Sequence, residues 1–373
     1  MCLVVVNAQA AKSPKLKVRI AKSLSKVKVS GMDLKRYIWP KKSFKSYQGA
    51  KRIHFNCRSK KLRSSKKPIR LASINSPTGM IKWDNERYKG VLHIQTSEKF
   101  DGCDIINELS LEDYLSTLLP KEMNAKWPME ALKAQAVAAR SYALYKLKTK
   151  QVSKSKGFRT NYDLENSEKH QVNGSYQDAT RRTIKATRQT RGEVLTLLNS
   201  KLTPVFFHSK CGGRTRTPDQ VWRNKVQGYR SVDCPFCHKH GMKDWKRSFN
   251  KLDMNYSMLK VLKNYNNDSI RMRQSSMSLL KDSKIRHKIQ LRTGNKLRDI
   301  KKSRLRSVLG RKSLPSNNYK IRESNGRYLV SGSGYGHGVG MCQFGVKELA
   351  LKGMGYREIL AYYFPNLKLK KLY

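Results

Sequence analysis

One glutamate, Glu122, lies in a setting that favours acid–base chemistry. It follows Pro120 and precedes Met123 and Trp127, so apolar side chains flank it on both sides. Burial among apolar groups raises the pKa of a carboxyl group, and a carboxylic acid that keeps its proton near neutral pH can act as a general acid. An acid on the surface of a turn would have the same neighbours in sequence, so the residues alone leave both interpretations open.

Two helices are predicted to position this glutamate. Ser110, with Asp113 three residues later, is a variant of the capping box and predicts the start of the first helix. We predict that Pro120 ends that helix and that Pro128 takes the first position of the second. Gln135 falls on the buried stripe of this second, alanine-rich helix, and a buried amide needs hydrogen-bond partners.

Cysteine and histidine spacing in the middle of the chain is typical of a zinc site. The pair His208-x-x-Cys211 is followed by Cys234-x-x-Cys237, and four such ligands suit tetrahedral Zn²⁺. The seven cysteines are odd in number and unevenly spaced, which does not indicate a disulfide scaffold. His238 or His240 could replace one of these ligands. A disulfide from Cys211 to Cys234 or Cys237 is one alternative to the metal, and free thiols are another. We predict a structural Zn²⁺ and no organic cofactor.

A glycine-rich segment, residues 332–345, surrounds Tyr335, His337 and Gln343. Its spacing differs from that of a dinucleotide fingerprint, and it lacks the Lys-Ser/Thr pair that closes a phosphate loop. Glycines allow a ligand to approach the backbone closely. The segment is therefore predicted to form the wall of a cleft for a sugar chain.

The chain is strongly basic throughout, with 79 Lys and Arg against 26 Asp and Glu, a net charge of +53. Such a charge indicates either a surface adapted to its medium or attraction to polyanions: nucleic acid, anionic wall polymers or lipid headgroups. Nucleic-acid binding is disfavoured, because the basic stretch 241–312 has almost no aromatic residues for base stacking. No stretch approaches the ~20 apolar residues that a transmembrane helix needs.

We predict an α+β fold, with mixed sheets packed around the two-helix segment. Residues 1–10 resemble the end of a secretory signal, with a short buried strand as the alternative, and so predict a periplasmic or secreted protein whose signal is truncated. Residues 11–83 are predicted to be a basic β-rich region, and residues 84–373 a catalytic core with a basic insertion at about 245–300.

Apolar alternation predicts strands at residues 27–29, 52–55 and 87–95, the last leading through Asp101-Gly102 into a hairpin. A strand at 192–198 is predicted to pair with one at 205–208. Within the insertion, residues 258–262 and 277–280 are interpreted as helical and residues 286–291 as a strand.

Three segments resemble the stage II sporulation protein D / amidase-enhancer (SpoIID/LytB) family, in the same order along the chain. They are LEDYL…PKEM…WPMEALKAQAVAARSYALYKL, then FFHSKCGGRT with a following VW, and GSGYGHGVGMCQFGVKELALKGMGYREILAYYFP. The resemblance covers roughly residues 84–373 and is weak between 245 and 300. It implies that Glu122 is the essential acid of the P-x-E-M segment and that His208 could contact substrate instead of metal. The substrate contacts that we infer are Gln135, Arg140, Ser141, Tyr142, Gly212, Gly213, Tyr335, His337 and Gln343.

Active members of this family are peptidoglycan lytic transglycosylases. The resemblance therefore implies cleavage between N-acetylmuramic acid and N-acetylglucosamine to give 1,6-anhydro ends, on glycan that some relatives require stripped of its peptides. The expected partners are peptidoglycan strands and an amidase. Two alternatives stay open: a non-catalytic wall-binding enhancer of an N-acetylmuramoyl-L-alanine amidase, and a basic nucleic-acid-binding protein.

Overall fold

The computed structural model describes residues 12–39, 41–57, 68–97, 101–155, 161–165, 174–239, 244–263, 277–293 and 296–373. The predicted signal remnant, residues 1–10, lies outside them. The fold is α+β, as predicted. The chain divides into two compact units, Met1–Leu195 with Leu369–Tyr373, and Thr196–Lys368. None of the described helices is long and apolar enough to span a membrane.

Among the described residues of the first unit, the first eleven strands form two mostly antiparallel sheets. The strands are β1 (Lys15–Leu24), β2 (Lys26–Met32), β3 (Lys35–Ile38), β4 (Ser43–Ser46), β5 (Ala50–Asn56), β6 (Arg70–Asn75), β7 (Ile81–Trp83), β8 (Glu86–Tyr88), β9 (Val91–Thr96), β10 (Cys103–Ser110) and β11 (Leu164–Glu165). One sheet has the order β11-β1-β10-β9-β6-β3-β4 and the other β5-β2-β7-β8. Since β1, β3, β4 and β6 join β9 and β10, the predicted boundary at residue 83 does not divide compact units.

Alternation of apolar and charged residues explains which face of the smaller sheet is buried. In β2, Val27 and Val29 are buried while Lys26 and Lys28 are exposed, because successive side chains of a strand point to opposite faces. The predicted strands at 27–29 and 52–55 are confirmed, and they pair with each other in antiparallel register. The predicted strand 87–95 is wrong as one element. Gly90 interrupts it at φ +81°, where a Cβ atom would lie 2.2 Å from the carbonyl oxygen of Glu108.

A disulfide joins Cys57, just after β5, to Cys103 at the start of β10. Both residues are buried in one apolar cluster with core residues of both sheets. The cysteine spacing gave no indication of this bond, because its partners are 46 positions apart in sequence and meet only through the sheet packing.

Three helices follow in the first unit: α1 (Leu111–Glu122), α2 (Met129–Ser155) and α3 (Arg181–Gln189), with a 3-10 turn at Tyr176–Asp178. The predicted cap is confirmed, since the Ser110 hydroxyl accepts a hydrogen bond from the Asp113 N–H at 3.1 Å. The prediction that Pro120 ends α1 was wrong. Proline in a last turn removes only one N–H, and the Met123 N–H still donates to the Leu119 carbonyl at 2.8 Å.

The remaining elements belong mainly to the second unit, and strands β12 and β23 mark where the chain enters and leaves it. The strands are β12 (Glu193–Thr196), β13 (Phe207–His208), β14 (Gly213–Arg214), β15 (Asp233–Cys234), β16 (Asp244–Asn250), β17 (Met277–Asp282), β18 (Lys288–Thr293), β19 (Lys296–Lys301), β20 (Tyr319–Ser324), β21 (Arg327–Ser333), β22 (Met341–Cys342) and β23 (Lys368–Lys371). The helices are α4 (Pro218–Val221), α5 (Lys251–Lys263), α6 (Lys302–Leu309), α7 (Gln343–Leu351) and α8 (Tyr356–Tyr363), with a 3-10 turn at Pro235–Lys239.

One strand pairing and one predicted helix in this unit differ from the prediction. Residues 205–208 do not pair with the strand at 192–198. Instead, β13 pairs in parallel with β22, 134 positions later, so that Phe207 faces Met341 and His208 faces Cys342. Residues 277–280 are not helical: they lie in β17, which pairs with β18. The predicted helix at 258–262 is confirmed within α5, and the strand at 286–291 overlaps β18.

The predicted insertion is a folded part of the second unit. Apolar residues from β16, α5, β18, α6, β20 and β21 share one buried cluster, including Trp245, Met258, Ile289, Leu305 and Tyr319. These elements also pair with one another, β16 with β21 along its whole length. Weak periodicity in the sequence therefore reflects short elements that bury side chains only after assembly.

We expect the double substitution Cys57→Ala/Cys103→Ala to lower the free energy of unfolding by about 2–4 kcal/mol, because the unfolded chain loses a long-range cross-link. Denaturant unfolding measures this loss. A reducing agent should destabilise the natural chain by a similar amount and leave the double variant unchanged. Free thiols at both positions in the oxidised, purified protein would contradict the prediction.

Candidate active site and candidate metal centre

Glu122 is the last residue of α1, and its side chain is half-buried at the turn that leads to α2. Met123 and Leu119 beside it are buried, as the apolar sequence context predicted. Tyr114, about two turns earlier on α1, is completely buried. Burial raises the pKa of Tyr114, and the negative charge of Glu122 raises it further. The carboxyl group therefore lies close enough to this phenol for the two to interact electrostatically.

The turn after Glu122 is held by α3. The Arg182 guanidinium donates to the carbonyl oxygens of Ala125 and Trp127, at 2.9 and 2.7 Å. Lys121, next to the glutamate, forms an ion pair of 2.7 Å with Asp178. Sequence reasoning missed Arg182, because nothing in its local context distinguishes it from the other basic residues of the chain.

Arg140, which the resemblance predicted as a substrate contact, belongs to a buried polar network. Its side chain is completely buried in α2 and forms a paired interaction with Glu112, with both N···O distances 2.8 Å. It also donates to the backbone carbonyls of Glu193 and Thr187, at 3.1 and 3.2 Å. A guanidinium with this set of bonds has a structural role, and its assignment as a substrate contact stays a prediction.

Ser141, next to Arg140, is also held by the fold, and its assignment as a substrate contact stays a prediction. It is buried, its hydroxyl donates to the Val137 carbonyl at 2.7 Å, and it accepts from the Leu195 N–H at 2.8 Å. Tyr142 is also buried, and burial raises its pKa to about 12.

Gln135 is the unusual group on this helix. It is completely buried, yet neither its amide nitrogen nor its carbonyl oxygen has a hydrogen-bond partner among the described residues. The partner that a buried amide needs is therefore not supplied by the described residues, and the assignment of Gln135 as a substrate contact stays a prediction. A buried amide without partners is destabilising, so its roles as donor and acceptor remain available to a bound group.

In the second unit, the two glycine segments predicted to line a cleft adopt left-handed backbone conformations. Gly212 has φ +75°, and a Cβ atom there would lie 2.6 Å from the Ser333 hydroxyl. Gly340 has φ +72°, and its Cβ would lie 2.2 Å from the Phe206 carbonyl. Both positions require glycine for conformation and for close packing. Gly213 also has a positive φ, of +109°.

Aromatic rings gather beside these glycines. The ring of His337 lies 5.2 Å from that of Trp222 and 5.5 Å from that of His208, measured between centroids. Trp222 is 37% exposed and Tyr335 is 46% exposed, so apolar ring surface faces solvent. Gln343, in contrast, is buried at the first position of α7.

His208 is neutral and incompletely hydrogen-bonded. Its Nδ1 donates to the Val339 carbonyl at 3.0 Å, while its buried Nε2 has no partner among the described residues. Burial lowers the pKa of His208 to about 4. The neighbouring His337 uses its Nδ1 as an acceptor from the Val339 N–H at 3.0 Å, so the two rings are oriented by the same backbone residue.

Four cysteine thiols form one buried cluster. The Sγ atoms of Cys211, Cys234, Cys237 and Cys342 all lie within 4.8 Å of one another. Three of these residues were predicted as metal ligands, but the fourth member is Cys342 and not His208. The parallel pairing of β13 with β22 explains the difference, since it brings Cys342 into the cluster while His208 binds Val339.

The donor set fits a tetrahedral zinc ion. Zn–S bonds of about 2.3 Å require sulfur atoms about 3.8 Å apart, and four thiolates are a common structural zinc site. The Sγ atoms of Cys211 and Cys237 are 3.5 Å apart. All four cysteines are free thiols, so the structure does not contain the alternative disulfide from Cys211.

Comparisons with known proteins show which family the chain resembles. The stage II sporulation protein (SpoIID) family profile matches residues 99–197. An uncharacterised protein of Brachyspira hyodysenteriae is 33% identical over 263 residues, covering 70% of this chain and 67% of that protein. The amidase enhancer of Bacillus subtilis is 27% identical over 335 residues, covering 79% of this chain and 45% of the relative. Stage II sporulation protein D of Bacillus subtilis is 24% identical over 275 residues, covering 71% and 76% respectively.

We expect Arg140→Met to lower the free energy of unfolding by about 3–5 kcal/mol, because it leaves the Glu112 carboxylate partly buried without its cation. As a control, Lys89→Met removes an exposed ion pair with Asp113 and should cost no more than about 1 kcal/mol. Denaturant unfolding of both variants measures the difference. Equal stability of the two variants would show that Arg140 is not a structural group.

Proposed function

Because the chain belongs to the stage II sporulation protein D / amidase-enhancer (SpoIID/LytB) family, with a role related to the cell wall, we propose that it is a peptidoglycan lytic transglycosylase. Its substrate would be the glycosidic bond between N-acetylmuramic acid and N-acetylglucosamine. The proposal rests on one observation above all: Glu122 sits half-buried at the end of α1, in an apolar turn and beside the buried Tyr114.

In the proposed mechanism, the Glu122 carboxyl first donates its proton to the glycosidic oxygen. The resulting carboxylate then removes the proton of the muramoyl 6-hydroxyl, whose oxygen attacks the anomeric carbon. The products are a 1,6-anhydro-muramoyl end and a free hydroxyl on the leaving sugar, and no water is consumed. One carboxyl group is enough for this cycle, whereas hydrolysis of glycosides typically needs two.

Other groups would contribute by holding the turn rather than by reacting. Arg182 fixes the backbone at Ala125 and Trp127, which limits the movement of the chain directly after Glu122. A fixed acid gains more in rate than a mobile one, because the reacting geometry is set before the substrate binds.

The disulfide between Cys57 and Cys103 supports an extracytoplasmic location for this activity. Disulfides persist in the periplasm and outside the cell and are rare in the reducing cytosol. A periplasmic or secreted protein would meet its peptidoglycan substrate there.

A second function, enhancement of an amidase without catalysis, is favoured by a separate observation. The relative named amidase enhancer matches 79% of this chain. A pure enhancer would bind peptidoglycan and stimulate an amidase without releasing anhydro-muropeptides, so product analysis distinguishes it from the enzyme.

We expect Glu122→Gln to lose about 10²–10⁴-fold in the rate of anhydro-muropeptide release from purified sacculi, since the amide can neither donate nor accept the proton in turn. The matched control is Glu130→Gln, which changes an acid in the first turn of α2 that pairs with Lys133. Mass spectrometry of the soluble products measures both rates. Equal activity of Glu122→Gln and the natural chain would refute the assignment, and absence of anhydro products from the natural chain would favour the enhancer.

We further propose that Cys211, Cys234, Cys237 and Cys342 hold a structural zinc ion. The ion would stabilise four buried thiolates, offsetting part of their negative charge, and cross-link the segment after β13, the turn at Pro235–Lys239 and the start of α7. Such a site supplies folding energy rather than chemistry, because no coordination position is left open.

Metal analysis and native mass spectrometry should find about one Zn²⁺ per chain. Cys342→Ser should lose the ion, whereas His208→Gln should retain it. Retention by Cys342→Ser with loss from His208→Gln would restore the ligand set predicted from sequence. A zinc-free chain two protons lighter than the reduced mass would show a disulfide in its place.

A further inference from the structure

The outward face of the smaller sheet carries a row of cations. Arg52 of β5 lies opposite Ser30 of β2, Ser30 lies opposite Lys82 of β7, and Lys82 lies opposite Arg87 of β8. Residues opposite each other in antiparallel strands point to the same face, so these four side chains form one line across the sheet. Arg52, Lys82 and Arg87 are exposed, and the alternate positions Val29, Ile53, Ile81 and Tyr88 are buried in the core.

This row lacks compensating acids. Within the described part of the chain, none of Arg52, Lys82 and Arg87 has a carboxylate within 4 Å, although other cations of the same unit do. Like charges directly opposite in a sheet are destabilising, and Lys82 and Arg87 are such a pair. The arrangement therefore lowers folding stability, and a bound anion would relieve the repulsion between these cations.

The row also lines a concave surface. An open groove of about 990 Å³ is bordered by Arg52, Lys82 and Arg87, together with Ser30, Met32 and Met80. Asp33 also lines the groove, and its carboxylate accepts a hydrogen bond from the Gly49 N–H at 2.8 Å. A flat lipid bilayer would touch the rim of such a groove, whereas a chain-like ligand can lie inside it.

We propose that this groove binds the acidic stem peptides of peptide-bearing peptidoglycan and so retains the protein on the wall. The proposal rests on the proposed function, which makes peptidoglycan the substrate. The Cβ atoms of opposed residues such as Lys82 and Arg87 lie about 5 Å apart, so their long, flexible side chains can reach anionic groups that lie close to one another. Stem peptides carry several carboxylates within a few bonds of one another. A glycan stripped of peptides keeps one lactyl carboxylate per disaccharide, which leaves most of the row without a partner.

The experiment measures binding of the full-length chain to purified, peptide-bearing sacculi at fixed ionic strength. The test variant is Arg52→Ser/Lys82→Ser/Arg87→Ser. The matched control is Arg181→Ser/Lys185→Ser/Arg188→Ser, which likewise removes two arginines and one lysine, here from exposed positions of α3 in the same unit. We expect about a tenfold loss of affinity in the test variant and less than about a threefold loss in the control.

Two further ligands identify what the groove recognises. Sacculi stripped of peptides by an amidase should bind the natural chain about tenfold more weakly, and the test variant should bind them no more weakly than the natural chain does. Vesicles containing phosphatidylglycerol should bind the test and control variants equally. If the test variant lost as much affinity for stripped glycan as for intact sacculi, relative to the natural chain, the sugar chain would be the ligand. A selective loss on vesicles would identify a membrane, and equal losses in both triple variants would indicate diffuse charge. Each of these three results overturns the proposal.

A fourth variant keeps the test independent of folding and of catalysis. Arg52→Lys/Arg87→Lys retains the charges and should bind sacculi within about threefold of the natural chain. If it fails to bind, the charge argument is wrong. Glu122→Gln should bind as the natural chain does, whether or not it releases anhydro-muropeptides. Loss of catalytic activity and loss of wall binding are thus measured separately, and the failure of one proposal does not imply the failure of the other.

Discussion

The buried guanidinium of Arg140 is the interaction on which the first unit depends. It binds Glu112 near the start of α1, a carbonyl at the end of α3 and the carbonyl of Glu193 in β12. The Tyr373 hydroxyl donates to the same Glu112 carboxylate at 2.7 Å, so the last residue of the chain joins the network. Glu122 lies at the far end of α1. Its position therefore depends on a polar core. Moving a member of that core would leave a buried charge without its partner.

The second unit is held by different means. Glycines at positive φ let the segment around Gly212 and the segment around Gly340 approach neighbouring backbone closely, and the four cysteines lie beneath them. Gly345 shows how little space is left, since a Cβ atom there would lie 2.6 Å from the Cys234 sulfur. The rings of His208 and His337 lie close to each other, tilted by 58° with their centroids 5.5 Å apart. Neither ring needs a charged partner, because burial favours the neutral form of both.

How much of this could be predicted from sequence depends on how far apart the interacting residues are. The cap at Ser110, the strands at 27–29 and 52–55, and the apolar surroundings of Glu122 depend on neighbours within a few positions, and all were predictable. Cys342 in place of His208, the disulfide from Cys57 and the role of Arg140 depend on partners tens to hundreds of positions away. For these, residue type limits the chemistry, but only the sheet register and helix packing select the partner.

The net charge of +53 is informative only once its distribution is known. In the first unit, many acids are already committed: Asp104 to Arg19, Asp113 to Lys89 and Asp163 to Lys150. These pairs join elements of the larger sheet and the helices, so their charges are cancelled locally. The outward face of the smaller sheet, in contrast, carries Arg52, Lys82 and Arg87 without such ion pairs among the described residues. For a protein acting on an insoluble polymer, attachment away from the scissile bond raises the effective concentration of the reacting groups without new contacts at the site. The cationic face lies on the smaller sheet, whereas Glu122 lies on α1 and is distant from these cations in sequence. Such attachment would require this separation.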